Sequence, residues 1–185
     1  IANVQHKLFT ASEDGIVKCI IEGIETWARP KRGELGESIT AIGNSSHGMV
    51  IIGREGYAIV AGDEEALEME VWSGEHLVQR HDINARLTAI SSNENGTWCG
   101  FDNGDISKLS DSNELTKITN LQFPIKSLTA CDDMVVAACW FYLYAIDDDG
   151  IRWQIEHQGM PEYVCTDAGY NNLIFAGEDQ NDWTT

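Results

Sequence analysis

A short apolar pattern returns at least four times along this chain of 185 residues. Each copy is a run that contains Thr, and a second apolar run follows it. Regular recurrence of this kind marks a repeat architecture, in which similar units stack on one another. The first runs are Ile39–Ile42, Leu87–Ile90, Leu128–Cys131 and Val164–Thr166, and the second runs are Met49–Ile52, Trp98–Phe101, Met134–Cys139 and Leu173–Ala176.

The repeated runs are predicted to be β-strands, because they are short, rich in Val, Ile, Thr and aromatic residues, and bounded by Gly, Asn, Asp and Ser. Hairpin turns are expected at Gly15, Gly56 and Gly104, since glycine accepts the positive φ that tight turns require. Only Asp63–Glu70 could form a helical turn, so we expect almost no helix. In the third complete unit the predicted strands are Ser127–Cys131, Met134–Cys139, Tyr142–Ile146 and Ile151–Glu156.

Four antiparallel strands in roughly 40 residues are typical of one blade of a β-propeller. We therefore predict an all-β β-propeller with four-stranded antiparallel blades. About four to five blades are expected in a single domain spanning residues 1–185. The approximate units are 4–37 (partial), 38–82, 83–122, 123–160 and 161–185 (partial).

The two terminal units are predicted to be incomplete. The run Lys7–Ala11 has the pattern of a second strand with no first strand before it, and Leu173–Ala176 is a second strand as well. The ends thus duplicate one strand instead of completing one blade, which predicts an open, partial propeller. Such an arc exposes blade faces that favour partners or self-association. In the second unit, Tyr57–Ala61 is one strand more than the pattern accommodates.

Tryptophan recurs at a regular interval. Trp27, Trp72 and Trp153 are all predicted in the fourth strand of their units, where the remaining unit has Thr116 or Lys117. Regular spacing predicts an aromatic plug that packs one blade on the next, because a large ring buries much apolar area. A stacking platform for a ligand is the alternative, but a single site needs only one such ring.

Several segments resemble blade motifs of known families. Tyr144–Trp153 is similar to the motif of quinoprotein-type (PQQ-motif) propellers, and Ile20–Trp27 is a looser copy. Val71–Leu77 and Ser12–Val17 resemble WD-repeat segments. The resemblance implies blade packing. It does not imply quinone cofactor chemistry, because those enzymes use a vicinal disulfide and this chain has no adjacent cysteines.

Net charge is −18, with 30 acidic and 12 basic side chains. Such a field repels phosphate backbones and anionic lipid, so no nucleic-acid or membrane partner is expected. No apolar run approaches the ~20 residues of a membrane helix. The only basic knot is Arg29 with Lys31 and Arg32. The acidity indicates a solvated surface or, as the sharper alternative, a dock for basic partner proteins.

Five cysteines are scattered through the apolar runs, and none forms a CxxC pair. This is a poor disulfide framework, and free Cys is readily buried as a small hydrophobe. A reducing, cytoplasmic location without structural disulfides is therefore expected. The cysteines are Cys19, Cys99, Cys131, Cys139 and Cys165.

Three acidic segments are candidate cation sites. Asp147–Asp149 and Asp102–Asp105 fit hairpin turns better than calcium loops, because calcium loops interleave their acids with spacer residues. A further group of glutamates could form a cation patch, although a solvated turn is the preferred interpretation. This group is Glu64, Glu65, Glu68 and Glu70.

The remaining candidates are also interpreted as structural. His76 and His81 are five residues apart, whereas two ligands on one strand usually stand two apart, so exposed loop histidines are expected. Ser92–Trp98 is close to the Asp-box of sialidase-type propellers, which is a hairpin element even there. The sequence therefore assigns no catalytic, cofactor-binding or metal-ligating residue and predicts no cofactor.

The absence of a catalytic pattern favours a non-catalytic propeller that acts as a protein–protein interaction scaffold or complex subunit, by analogy of fold. The alternative is a propeller enzyme or small-ligand-binding domain with its site at the central axis, built partly from blades missing here. A third hypothesis is a structural or sensor element of a larger protein.

Overall fold

A computed structural model describes residues 1–4, 6–12, 15–29, 36–56, 66–167 and 172–178. Within these ranges the chain forms eighteen β-strands and no helix. Consequently, no described segment has the helical length and hydrophobicity needed to cross a bilayer. The all-β prediction is confirmed.

The strands form antiparallel sheets in chain order. The first sheet is β1 (Ala2–Val4), β2 (Lys7–Ala11), β3 (Val17–Ile21) and β4 (Ile24–Arg29), and the second is β5 (Glu37–Asn44), β6 (Val50–Gly56), β7 (Ala66–Ser73) and β8 (His76–Asp82). The third is β9 (Leu87–Asn93), β10 (Gly96–Phe101), β11 (Asp105–Leu109) and β12 (Leu115–Asn120). The fourth is β13 (Ile125–Cys131), β14 (Met134–Cys139), β15 (Tyr142–Asp147) and β16 (Gly150–Glu156), and the fifth, in the described residues, is β17 (Met160–Thr166) and β18 (Leu173–Glu178).

The prediction that the first unit lacks its first strand is wrong. Ala2–Val4 pairs with β2 in the register Ala2↔Phe9 and completes a four-stranded sheet. A strand of three residues is too short to show an alternating pattern, which is why the sequence did not indicate it.

The placement of Trp72 in a fourth strand is also wrong. Trp72 lies in β7, the third strand, where it pairs with Val50. The true fourth strand, β8, is polar and mostly exposed, so it lacks the apolar alternation of a half-buried strand. The additional strand predicted at Tyr57–Ala61 lies outside the described residues.

Two of the three glycines predicted in turns lie in turns, and the third does not. Gly15 and Gly104 adopt φ values of 84° and 86° in their turns, as glycine readily does. Gly56 is instead the last residue of β6 and pairs with Ala66 and Glu37. The expected turn at Gly56 is therefore wrong, because this strand continues further than its apolar run.

Contacts divide the chain into two compact units, residues 1–87 and 88–185. In the first unit, the core lies between the first and second sheets and includes Phe9, Val17, Val50, Ile52 and Trp72. Trp27 contacts Trp72 across this core, with ring centroids 5.3 Å apart. For this pair, the predicted aromatic plug is present. The single domain predicted over residues 1–185 stays a prediction.

In the second unit, the described residues form a core on each side of the fourth sheet. Trp98, Ile106 and Val135 belong to a core between the third and fourth sheets. Val136, Leu143 and Val164 belong to a core between the fourth and fifth sheets. Trp153 belongs to neither of these cores and is 36% exposed on β16. It lies opposite Ala145, on the side of the fifth sheet, of which only β17 and β18 are described, and its predicted plug role stays a prediction.

Candidate functional site

One end of the fourth sheet carries a group of aromatic residues. The pairs Ile125↔Cys139, Cys139↔Tyr142 and Tyr142↔Glu156 place both chain connections of this sheet and the β14–β15 turn at that end. We call this surface the aromatic end. It consists of Phe123, Pro124, Trp140, Phe141, Tyr142, Met160 and Pro161.

Trp140 is the most exposed aromatic residue of the aromatic end. Its side chain is 47% exposed, and its backbone has a φ of 50°. A bulky residue rarely adopts this left-handed conformation, and strain of this kind persists only where the surroundings hold it. The turn Trp140–Phe141 contains none of the usual turn residues, and that is the sequence signal that could have indicated the site.

Phe123 supports the exposed indole. The two rings are stacked, with centroids 5.6 Å apart and planes 9° from parallel. The ring centroid of Tyr142 lies 6.1 Å from that of Phe123, so Tyr142 extends the stack. Phe141 also contacts the indole, with centroids 5.3 Å apart and planes perpendicular, and Trp140 remains 47% exposed between these two rings.

Hydrogen bonds fix the segment that carries Phe123. The Leu121 amide donates to the Gly104 carbonyl at 2.9 Å, and the Gln122 amide donates to Asn120 Oδ1 at 2.8 Å. The Asn120 amide group donates to the Asn103 carbonyl at 3.0 Å. The turn after β10 therefore positions Phe123, the ring on which Trp140 stacks.

Asp105 anchors the same turn. It accepts from Asn120 at 2.5 Å and pairs with Lys117 at 2.6 Å. Burial raises the pKa of Asp105, but the hydrogen bonds from Lys117, Asn120 and Asn103 outweigh burial and lower this pKa below 3.8. The segment Asp102–Asp105 thus forms a tight turn, and the Asp105 carboxylate is bonded to other groups of the protein.

A cavity of about 260 Å³ opens beside Trp140. Its walls are mostly apolar, and its rim carries one ion pair, Lys126 Nζ to Glu162 Oε1 at 3.3 Å. Cavities that hold a small molecule usually measure ~300–1,000 Å³, so this one suits a side chain better than a cofactor. The lining residues are Pro124, Lys126, Trp140, Met160, Pro161 and Glu162.

The rim pair comes from two equivalent β-bulges. Lys126 is the extra residue of β13 between Ile125 and Ser127, and Glu162 is the extra residue of β17 between Pro161 and Tyr163. A bulge re-aims a side chain away from the regular pleat. The repeat has thus placed opposite charges at matching positions of neighbouring sheets.

The glutamates expected in a solvated turn are buried where the structure describes them. Glu68 and Glu70 lie in β7; Glu70 accepts from Arg29 at 2.8 Å, and Glu68 accepts from Arg54 at 2.6 Å. The solvated-turn interpretation is wrong for both, because arginines distant in sequence neutralise them. Glu64 and Glu65 lie outside the described residues.

These ion pairs form one buried network in the first unit. Glu37 accepts from Arg29 at 2.6 Å and also from Arg54, and Trp72 Nε1 donates to Glu70 at 2.8 Å. Burial lowers the pKa of Arg29, but its hydrogen bonds to Glu70 and Glu37 outweigh burial and raise it. Arg29 is therefore a buried structural cation, and its predicted place in a cluster of basic residues is wrong. The other two residues of that cluster, Lys31 and Arg32, lie outside the described residues.

The two remaining segments considered as sites, Asp147–Asp149 and Ser92–Trp98, lie in hairpins. Asp147–Asp149 forms the turn into β16, where Asp147 binds Arg152 and the Asp149 amide. Ser92–Trp98 spans the β9–β10 hairpin. Within it, the side-chain amides of Asn93 and Asn95 donate to the Asp132 carbonyl.

The histidine and cysteine candidates are dispersed. His76 and His81 lie in β8 and not in a loop, so the loop placement was wrong; His76 is exposed and His81 half-buried. Burial raises the pKa of Cys99 and of Cys139 to about 12, which disfavours a thiolate nucleophile. Within the described ranges, no three His, Cys, Asp or Glu side chains are arranged to hold a metal ion.

No protein-family model and no curated protein matches this sequence. Solved structures do match. The computationally designed protein Ika8 has a TM-score of 0.70 at 19% identity, over 95% of this chain and 54% of that chain. A chain of the mitotic checkpoint complex has a TM-score of 0.69 at 13% identity, over 95% and 57%. The WD40 β-propeller domain of Doa1 has a TM-score of 0.69 at 8% identity, over 94% and 58%.

These likenesses show the fold. The chain has a β-propeller fold with four-stranded antiparallel blades, and the resemblance to WD-repeat propellers is confirmed at the level of fold. The chain spans about half the length of the structures it matches, so the propeller is partial relative to them. The likeness to quinoprotein propellers stays a prediction.

Proposed function

We propose that this chain is a non-catalytic, protein-binding propeller that docks partner proteins at its aromatic end. The observation that carries the proposal is Trp140, an exposed indole held in a strained turn and stacked on Phe123. Trp is among the residues that most often dominate binding energy at protein interfaces. Strain that persists at the surface is typical of functional positions.

The fold supports the same proposal by analogy. Propellers present loops at the ends of their blades, and function resides in such sites and not in the fold itself. The proposal includes two further expectations from the sequence, basic partner surfaces and a cytoplasmic location. The net charge of −18 supports the first, and the free cysteines support the second.

A displayed library of random peptides tests the proposal. Clones selected on the folded protein are compared on Trp140→Ala and on Trp153→Ala, a matched control for an exposed Trp elsewhere in the same sheet. We expect Trp140→Ala to weaken binding by at least about tenfold while Trp153→Ala binds normally. Failure to enrich any clone, or equal binding to both variants, would refute the docking site. Unfolding curves of both variants exclude a folding defect.

A further inference from the structure

We infer that the aromatic end binds an arginine side chain of its partner, which stacks on Trp140 and displaces Lys126 from Glu162. This inference rests on the proposed function and specifies the chemistry of the partner. Its starting point is the cavity beside Trp140, which has the size of a side chain, apolar walls and one carboxylate at its rim.

The cavity matches a side chain that is both apolar and cationic. Pro124, Met160 and Pro161 can contact the methylene stem of such a residue, as long basic side chains bury their stems along apolar surfaces. The exposed indole of Trp140 attracts a cation over its face. Glu162 would then pair with the charged head at the rim.

Charge around the aromatic end favours the same occupant. Glu156 ends β16 and Glu178 lies opposite Met160, so both carboxylates stand at the same end of their sheets as Glu162. Glu156 and Glu178 are exposed. Lys126 is the basic residue of the cavity lining, and the whole chain carries −18. A basic segment is therefore attracted, and an acidic one repelled.

The Lys126–Glu162 pair can be exchanged at little cost. Its side chains are 47% and 33% exposed, and its atoms are 3.3 Å apart. Such solvent-exposed pairs contribute little stability. Arginine is the better competitor, because its planar guanidinium stacks on aromatic rings and binds a carboxylate with two parallel hydrogen bonds, whereas lysine presents a point charge.

Three short synthetic peptides test the inference: alternating Arg and Pro, alternating citrulline and Pro, and alternating Lys and Pro. Proline keeps the peptides extended and suits the proline walls of the cavity. Citrulline has the shape of arginine without its charge. By fluorescence anisotropy, we expect the Arg peptide to bind about tenfold more tightly than the citrulline peptide, with the Lys peptide between them.

Two variants of the rim sharpen the test. Glu162→Gln should abolish the preference for Arg over citrulline, and Lys126→Gln should tighten Arg binding a few-fold, because it removes the competing ammonium. Equal affinity for the Arg and citrulline peptides, or no binding of the Arg peptide, overturns the inference. The library experiment decides the proposed function separately, since clones without arginine that depend on Trp140 would sustain it while this inference fails.

Discussion

Asp105 shows how a single side chain can set the geometry of a distant surface. Its partners Lys117 and Asn120 belong to β12, and Asn120 also holds the turn that faces Gln122 and Phe123. The carboxylate acts through Asn120, which also bonds the Asn103 carbonyl and the Gln122 amide. Burial raises the pKa of Asp105, but the hydrogen bonds from Lys117, Asn120 and Asn103 favour the charged form and lower the pKa.

We expect Asp105→Asn to cost about 1–3 kcal/mol of unfolding free energy at neutral pH, because the ion pair with Lys117 is lost. The native pKa lies below the ordinary 3.8, so this stabilisation is complete above 3.8 and disappears as the pH falls through the native value. Urea unfolding at several pH values measures it. The difference from wild type should vanish in acid.

Asp148→Asn is the control for this prediction. Asp148 pairs with Lys108 at 2.7 Å but is 65% exposed, so its loss should cost less than about 1 kcal/mol. A difference for Asp105→Asn that is independent of pH would contradict an electrostatic role for its carboxylate.

At the scale of the elements, buried charge joins strands that the chain places far apart. Arg29 ends β4, Glu37 begins β5, Arg54 lies in β6, and Glu68 and Glu70 lie in β7. Each charge is desolvated, so the network is stable only while the partners remain together. It links the first sheet to the second beside the apolar core that also lies between them.

Glu70→Gln should destabilise the protein by about 1–3 kcal/mol, because buried Arg29 loses one of its two carboxylate partners and keeps only Glu37. Denaturant unfolding measures the change. Glu25→Gln removes an exposed pair with Lys18 at 2.6 Å and should cost about 0–1 kcal/mol. Equal losses of unfolding free energy for the two variants would show that burial of the network adds nothing to stability.

Gly104 tests how the third sheet supports the aromatic end. A Cβ at this position would lie 2.8 Å from the Gln122 nitrogen and 2.9 Å from the Phe123 nitrogen, at a φ of 86°. Gly104→Ala should therefore cost about 2–4 kcal/mol and shift the segment beneath Trp140. Unfolding curves and indole fluorescence measure both effects.

The control for Gly104→Ala is Gly74→Ala, where φ is 59° and no atom lies within 4 Å of the added Cβ. Only the backbone cost of about 1 kcal/mol is expected there. If both substitutions cost the same, contact with the Gln122–Phe123 segment is not what requires glycine.

At the scale of the whole molecule, apolar surface and net charge act in opposite directions. Trp153 and Ile155 lie opposite Ala145 and Leu143, on the face whose inner strands pack against the fifth sheet. Both are exposed, as is Phe175 of β18, which lies opposite Val164 of the same core. This surface favours association between molecules, while a charge of −18 on each opposes it.

We predict that the protein self-associates more strongly when salt rises from about 0.05 M to about 0.5 M, since salt screens repulsion and leaves apolar attraction. Sedimentation velocity measures the association. Ile155→Lys should reduce it, whereas Ile24→Lys, at an isolated Ile that is 67% exposed on β4, should not. A monomer at every salt concentration would contradict the prediction.

The sequence by itself determined the repeated antiparallel sheets. Strand periodicity and turn glycines are local properties, so runs such as Leu128–Cys131 and Met134–Cys139 predicted β13 and β14 closely. Strands without a strong apolar pattern were missed: β1 is only three residues long, and β8 is largely exposed. Misplacing Trp72 followed from missing β8.

The tertiary structure alone decided which polar and aromatic residues meet. Arg29 and Glu70 are separated by 41 positions, and the bulge residues Lys126 and Glu162 belong to different sheets. Glu70 lies in a glutamate-rich segment whose composition is typical of a solvated turn. It is nevertheless fully buried, because the guanidinium of Arg29 compensates its charge. Pairings of this kind depend on how sheets stack, and the local pattern of a strand carries no record of its neighbour's side chains.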